Sequence, residues 1–221
     1  GANLTGADLS NANLTKADLN NTNLTNVNLT NTNLSNVNLT NSNLLSGIRS
    51  RSIKGNPKLP KSYQIISGYI FGPKADLSNS YLLRIDINTA DLNGANLSNS
   101  DLTSANLSNA NLSGTKLSKA NLNKANLTGA NLSDSDLTGA NLYETNFGWS
   151  RLNGADLSNS DLTGADFTFA DLTNATLSNA SLNKVKSGAI RGNPILPPSY
   201  RIKSGYIIGP KADLTGANLS N

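Results

Sequence analysis

The side chains that could do chemistry in this chain are mainly Asp, Asn, Ser and Thr, which recur at fixed spacing. Carboxylates can act as acids, bases or calcium ligands, and hydroxyls can act as nucleophiles. The chain has no His and no Cys, which excludes imidazole catalysis, thiol chemistry, disulfides and the usual zinc ligands. Carboxylates on a convex, solvated surface are expected to keep ordinary pKa values. The residue types therefore predict no catalytic site, no cofactor, no metal site and no enzyme.

Two basic clusters are the first candidates for binding. Twelve of the 18 Lys and Arg residues lie in residues 45–75 and 184–212, which contain no acid. Tyrosines accompany them, and a basic patch with aromatic rings can bind phosphate or another polyanion. The alternative, which we favour, is that these cations keep an exposed loop soluble and block edge pairing. The spacing matches no nucleic-acid-binding motif, which disfavours nucleic acid as a partner.

An aromatic pair, Trp149 and Phe169, is the second candidate. The two residues are 20 positions apart at sites expected to face outward, and Tyr143 and Arg151 are near in sequence. An exposed apolar patch can be a partner site. The alternative is that a segment beginning near residue 185 folds back over the pair. The candidate partner-binding residues are Arg49, Arg51, Lys54, Lys58, Tyr63, Tyr69, Arg191, Tyr200, Arg201, Tyr206, Trp149 and Phe169.

These candidates are positioned by a five-residue repeat, as in GADLSNANLTKADLNNTNLT at residues 6–25. Its centre, position i, is a large apolar residue nine times at 4–44, 22 times at 77–182, and again at 214 and 219. A period of five fits neither helix nor continuous strand, but a short strand followed by a corner fits. Positions i−2 and i then face inward, and i−1 and i+1 face water. Position i+2 is Gly or Asn in 19 of the 31 repeats of the two long runs, and these residues tolerate a turn with positive φ.

The tandem pattern A(D/N)LXX, as in Ala7-Asp8-Leu9-Ser10-Asn11, resembles the pentapeptide-repeat protein family over about three quarters of the chain. The resemblance implies an all-β fold, a right-handed quadrilateral parallel β-helix with four repeats in each coil. The 33 repeats would then make about eight coils. Phe147 and Phe167, like Trp149 and Phe169, are 20 positions apart, which agrees with stacking between successive coils.

Two segments interrupt the repeats. Residues 52–77 and 189–214 are identical at 19 of 26 positions, and similar GNPxLPxxY…GYxxGPxADL inserts occur in long bacterial pentapeptide-repeat proteins. Their Gly-Asn-Pro and Leu-Pro sequences mark turns, so we expect each module to bulge from a corner and then rejoin the coil. The predicted organisation is a single solenoid over 1–221, with repeats at 1–46, 75–184 and 212–221. The first insert then covers about 47–74 and the second about 185–211.

The predicted function is a structural or protein-interaction scaffold for an unidentified protein partner. The alternative, implied by the family resemblance, is a DNA mimic that binds gyrase and confers quinolone resistance. The net charge of +4, the basic inserts and the lack of an evident C-terminal dimerising helix depart from that pattern. No apolar run is long enough to predict a membrane span. The chain begins and ends within the repeats and lacks Met, so we interpret it as a piece of a longer repetitive protein or an engineered array. Compartment and oligomeric state stay open, and the pattern is compatible with end-to-end association.

Overall fold

The computed structural model of the chain describes residues 1–43 and 47–219. The predicted repeat centre Leu44 and the last two residues of the predicted final repeats lie outside the described residues. The chain divides into two compact units, Gly1–Leu77 with Asp91–Asn96 and Ser78–Ala90 with Leu97–Asn221. Within the two described ranges, every regular element is a strand, bridge or turn, and no helix occurs. The expected all-β class is confirmed.

Each unit is built on ladders of single-residue parallel bridges. In the first unit Asn3 pairs with Asn23 and Asn23 with Asn43; in the second unit Asn121 pairs with both Asp101 and Asn141. The bridged residue is position i−1 of a repeat, and the two partners of a pair are four repeats apart in sequence. Each regular coil therefore has four sides, with one repeat on each side.

The interior of the coils is filled by the centre residues. All 22 centre residues from 77 to 182 are at most 2% exposed, as the inward assignment of position i predicts. Phe147 and Phe167 replace Leu there, and their rings stack with centroids 4.9 Å apart. Ser and Thr replace Ala at several buried i−2 positions, where the hydroxyl donates to a backbone carbonyl. Ser100 Oγ, for example, lies 2.6 Å from the Leu97 carbonyl oxygen, so its donor is satisfied.

The corners of the coil share one backbone conformation. The N–H of position i+3 donates to the carbonyl of position i, as in Ala125 to Leu122 at 2.9 Å. Every residue at i+2 from 79 to 184 has φ between 53° and 72°. This left-handed conformation is the one that the Gly and Asn residues predicted. It also holds for Lys, Ser, Thr and aromatic residues, because the hydrogen-bonded ladder fixes the backbone whatever the side chain.

Each insert contributes one short antiparallel hairpin. The first is formed by β1 (Gln64–Ile66) and β2 (Tyr69–Phe71), and the second by β3 (Arg201–Lys203) and β4 (Tyr206–Ile208). The hairpin docks on the residues that precede it, since Ile70 N–H donates to Ser50 Oγ at 2.7 Å. The second insert repeats this contact between Ile207 and Ser187 at 2.9 Å. The two inserts therefore fold in the same way.

The first half of each insert stays on the ladder, which differs from the expected bulge. Arg49, Lys54 and Lys58 pair with residues of the preceding coil, because their spacing still matches its sides. The ladder resumes at Asp76, which pairs with Arg49 over a longer stretch of sequence than the four repeats of a regular coil. In the second insert Lys186 pairs with Asp213 at the same separation as Arg49 and Asp76. Each insert is thus an enlarged coil that carries a hairpin.

Candidate partner-binding groove

The corner residues Trp149 and Phe169 are the least expected feature of the ladder. Both occupy position i+2 with φ of 61°, a conformation that is unfavourable for bulky side chains. The ladder holds them there, because Trp149 N–H donates to Thr168 and Phe169 N–H donates to Gly188, at 3.0 and 2.7 Å. The fold therefore tolerates these two aromatic residues at a site that Gly or Asn would fill with less strain.

The two rings stack on each other at the surface. Their centroids are 4.2 Å apart and their planes are inclined by 17°. Trp149 is 64% exposed and Phe169 is 44% exposed, so the second insert does not cover them. The alternative in which that insert folds over the pair is therefore wrong. The next residue in this corner column is Ala189, which is exposed and has φ of 50°.

A column of charged residues runs beside the aromatic pair. The backbone of Arg151 forms a parallel β-bridge with that of Asp171, and Asp171 forms one with Arg191. Side chains of alternating charge therefore lie on consecutive coils. Asp171 Oδ1 accepts hydrogen bonds from the Thr173 hydroxyl at 2.6 Å and from its N–H at 3.0 Å. These bonds, chiefly that of the hydroxyl, lower the pKa of Asp171, and the charge of Arg191 adds to the effect. The column carries two positive charges and one negative charge.

The aromatic pair and the charged column are the two walls of one groove. The groove is open to solvent, has a volume of about 500 Å³ and is lined by Trp149, Ser150, Arg151, Phe169, Asp171, Ala189 and Arg191. All of these residues belong to the second unit. Of the candidate residues that the sequence indicated, the structure brings together Trp149, Phe169 and Arg191. Exposed aromatic rings beside two guanidinium groups are suited to binding rather than to proton transfer.

The tandem repeats also match a known sequence family. Eight copies of the family described as pentapeptide repeats match residues 1–44, 74–109, 105–142 and 140–179. The chain belongs to the pentapeptide-repeat family. The match covers well over half of the chain, and no curated protein sequence matches it.

Solved structures of other pentapeptide-repeat proteins are similar to this chain. HetL from the cyanobacterium Nostoc sp. PCC 7120, a protein involved in regulating heterocyst differentiation, is 28% identical, with 91% of this chain and 92% of HetL covered and a TM-score of 0.41. A thylakoid-lumen pentapeptide-repeat protein of Arabidopsis thaliana is 32% identical over 42% of this chain and 69% of its own, with a TM-score of 0.37. QnrB1, a plasmid-mediated fluoroquinolone resistance protein, is 16% identical over 81% of this chain and 84% of its own, with a TM-score of 0.24.

The basic candidates of the first insert are not among the residues that line this groove. Arg49 forms an ion pair with Asp76 at 3.1 Å, while Arg51, Lys54 and Lys58 are exposed. In the second insert, Arg201 is exposed on β3. The structure gives these cations no apolar wall of the kind that Trp149 and Phe169 provide.

The tyrosine candidates of the inserts are used by the fold. Tyr63 donates its hydroxyl to the Pro73 carbonyl at 2.9 Å, and Tyr200 donates to the Pro210 carbonyl at 2.6 Å. Burial, together with the charge of Asp91, raises the pKa of Tyr63 to about 12, and burial also raises the pKa of Tyr200. Tyr69 was a candidate contact but is buried in β2, because its ring packs near Phe71. The Tyr206 ring lies beside Gly188.

Carboxylates at position i−1 do not behave as isolated surface groups. Asp136 Oδ1 accepts from the N–H and the hydroxyl of Thr138, at 3.0 and 2.6 Å. Bonds of this kind lower the pKa of Asp8, Asp86 and Asp213, in each case chiefly through the side chain two residues on. The expectation of ordinary pKa values was therefore wrong for these groups.

Among the described residues, no group of three or more acidic side chains could hold a metal ion, and no helix could cross a membrane.

Sequence reasoning missed the role of Asp171 and did not include Arg151 among the binding candidates. The signal that could have found both is the spacing of four repeats between stacked positions. Counting back four repeats from Arg191 reaches Asp171, and four more reach Arg151. Arg151 is two residues after Trp149 in the sequence. Tyr143, which was noted as near in sequence, does not line the groove.

Proposed function

We propose that this chain is a scaffold that binds a protein partner through the groove between Trp149 and Arg191. The observation that supports the proposal most is the exposed ring stack, since two aromatic residues at strained corner positions are not needed by the coil. Exposed aromatic residues beside Arg are the composition that protein interfaces favour. The repeats would hold this groove in a fixed geometry, because each wall residue is bonded to the neighbouring coil.

We also propose the finer geometry that the family resemblance implies, a right-handed coil of about eight turns interrupted by the two inserts. The exposed insert cations Arg51, Lys54, Lys58 and Arg201 stay candidate contacts for a partner protein. The proposal assigns no catalytic residue and no cofactor.

Site-directed crosslinking tests the proposed groove. A photoreactive benzoylphenylalanine replaces Phe169 in one variant and Asn109 in another, since Asn109 occupies the same corner column three coils earlier. In extract of the native host, the variant at position 169 should crosslink to one protein, and excess unlabelled chain should compete. The chain with Trp149→Asn and Phe169→Asn should not compete. Equal crosslinking from position 109, or full competition by the double variant, would place the partner elsewhere.

The gyrase alternative rests on the family resemblance and has no support from the charge of this chain. A DNA mimic presents an acidic surface, whereas this chain has a net charge of +4 and two basic inserts. We expect no inhibition of DNA supercoiling by gyrase, and no protection of gyrase from a quinolone, at any stoichiometry of added chain. A dose-dependent effect in either assay would establish the alternative instead.

A further inference from the structure

The chemistry of the two groove walls indicates which kind of partner residue the groove can accept. This inference rests on the proposed binding function and adds the identity of the contacting groups. One wall is the aromatic stack of Trp149 and Phe169, and the other is the charged column of Arg151, Asp171 and Arg191.

The aromatic wall leaves room for a further ring. Corner side chains lie toward the following coil, since Glu144 Cγ would be 3.1 Å from a Cβ placed at Gly164, and Lys119 Cγ 3.8 Å from one at Gly139. Trp149 accordingly stacks on Phe169, but the next residue in the column, Ala189, has only a methyl group. The stack therefore stops where the cavity continues. Aromatic rings prefer to be extended by another ring in offset or edge-to-face contact.

The charged wall requires an anion beside that ring. Asp171 already receives two hydrogen bonds from Thr173 through Oδ1, so part of its capacity as an acceptor is used within its own repeat. The column contains two guanidinium groups and a single carboxylate, which leaves this wall net positive. A cationic partner residue would be repelled by Arg151 and Arg191. A purely apolar partner would desolvate the guanidinium groups without replacing their hydrogen bonds.

We propose that the groove binds an aromatic side chain of a partner protein that is flanked by Asp or Glu. The ring packs against the exposed parts of Trp149 and Phe169 over Ala189, and the flanking carboxylate accepts hydrogen bonds from Arg191 and Arg151. The aromatic contact supplies the apolar area, and the carboxylate selects acidic partners over basic ones.

The chain contains a single Trp, so the fluorescence of Trp149 reports on this groove alone. The probe is the blocked peptide acetyl-Glu-Phe-Glu-amide, and the controls are acetyl-Lys-Phe-Lys-amide and acetyl-Glu-Ala-Glu-amide. We expect a saturable change with the first peptide and none with the controls at equal concentration and ionic strength. An equal response to the Lys peptide or to the Ala peptide overturns the proposal, as does the absence of any saturable response up to the solubility limit.

Variants of the charged wall separate this chemistry from the binding function. Arg191→Gln and Arg151→Gln should each lower the affinity of the chain for the acidic peptide by roughly threefold to tenfold. Arg84→Gln, at an exposed corner outside the groove, should leave its affinity unchanged. Suppose that benzoylphenylalanine at position 169 crosslinks a partner but the Arg variants bind the peptide like the unaltered chain. The acidic specificity then fails and the binding function stands. If the peptide binds as expected but position 169 yields no crosslink, the binding function fails by itself.

Discussion

The aromatic residues of the inserts and those of the 149–169 corner are placed in opposite ways. In the inserts, Tyr63 and Tyr200 are tied to proline carbonyls, and Tyr69 is buried. At the corner, the rings of Trp149 and Phe169 stack on each other and are exposed to solvent. The insert tyrosines are thus explained by folding, whereas the corner pair is not. The difference shows that an aromatic residue indicates a binding surface only where the fold does not need it.

The sharpest test of this difference compares two aromatic residues of one repeat. Phe147 is completely buried in the coil, and Trp149 is two residues later on the surface. Phe147→Ala should lower the free energy of unfolding by about 3–5 kcal/mol, because it removes a stacked, buried ring and leaves a cavity. Urea denaturation followed by circular dichroism measures the change. A loss below about 1 kcal/mol would contradict the division into buried and exposed aromatics.

The second test concerns the hydroxyl of Tyr63. Tyr63→Phe should lower stability by about 1 kcal/mol, because the Pro73 carbonyl loses its donor. The matched Tyr143→Phe should change stability much less, because the Tyr143 hydroxyl bonds the Glu144 carboxylate at a site where water can replace it. Equal effects of the two substitutions would show that the insert tyrosines are no more structural than surface ones.

The pH dependence of stability provides a further check on Tyr63. Its pKa is raised from 10.0 to about 12 in the folded chain, so folding favours the neutral phenol. The contribution of the neutral Tyr63 phenol to the free energy of unfolding is complete below pH ~10. It is lost as the pH rises toward ~12, since the unfolded chain releases the proton first. Thermal unfolding between these pH values should show a steeper decline for the unaltered chain than for Tyr63→Phe. Parallel curves for the two chains would contradict the raised pKa.

The smallest effect on stability is expected at the corner itself. Trp149→Asn and Phe169→Asn remove a stacking contact worth about 0.5–1.5 kcal/mol but place a residue that tolerates positive φ. The two effects oppose each other, so each substitution should change stability by less than about 1 kcal/mol in either direction. The same substitutions should abolish the response to the acidic aromatic peptide, which is followed by calorimetry once Trp149 is absent. A loss of several kcal/mol would show that the corner pair is structural after all.

Much of the coil could be predicted from the sequence, because one residue type at one position has one physical role. Leu at position i requires burial, and the narrow interior requires a small residue at position i−2. The inward and outward faces of each repeat could therefore be predicted directly. Four sides were indicated by the spacing of Phe147 and Phe167, whose rings do stack.

The inserts and the groove could be predicted only in part. The turn residues near Pro57 indicated a loop, but the ladder bridges of Lys54 and Lys58 depend on backbone spacing and not on side-chain type. The groove needs three consecutive coils, and Arg151 and Asp171 acquire a role only when equivalent positions of successive coils are placed side by side. Sequence proximity indicated Tyr143 together with Arg151, and of the two only Arg151 lines the cavity.

The hydrogen bond within each repeat has a consequence for how such surfaces can diversify. The N–H of position i+1 is accepted by Oδ1 of position i−1, at 3.1 Å when that residue is Asn126 and at 3.0 Å when it is Asp136. The two residues have the same shape and present the same acceptor, so an Asn-to-Asp exchange adds one negative charge and leaves the backbone bond in place, at the cost of the weak bond that Asn126 Nδ2 donates to Asn106 Oδ1 of the preceding coil at 3.3 Å. The surface charge of a repeat can thereby change while the bond that shapes its turn is kept. Single-nucleotide changes can convert the four Asn residues at position i−1 of a coil to Asp, which makes a neutral coil acidic. Protein design can use the same substitution to place charges at chosen positions on the coil.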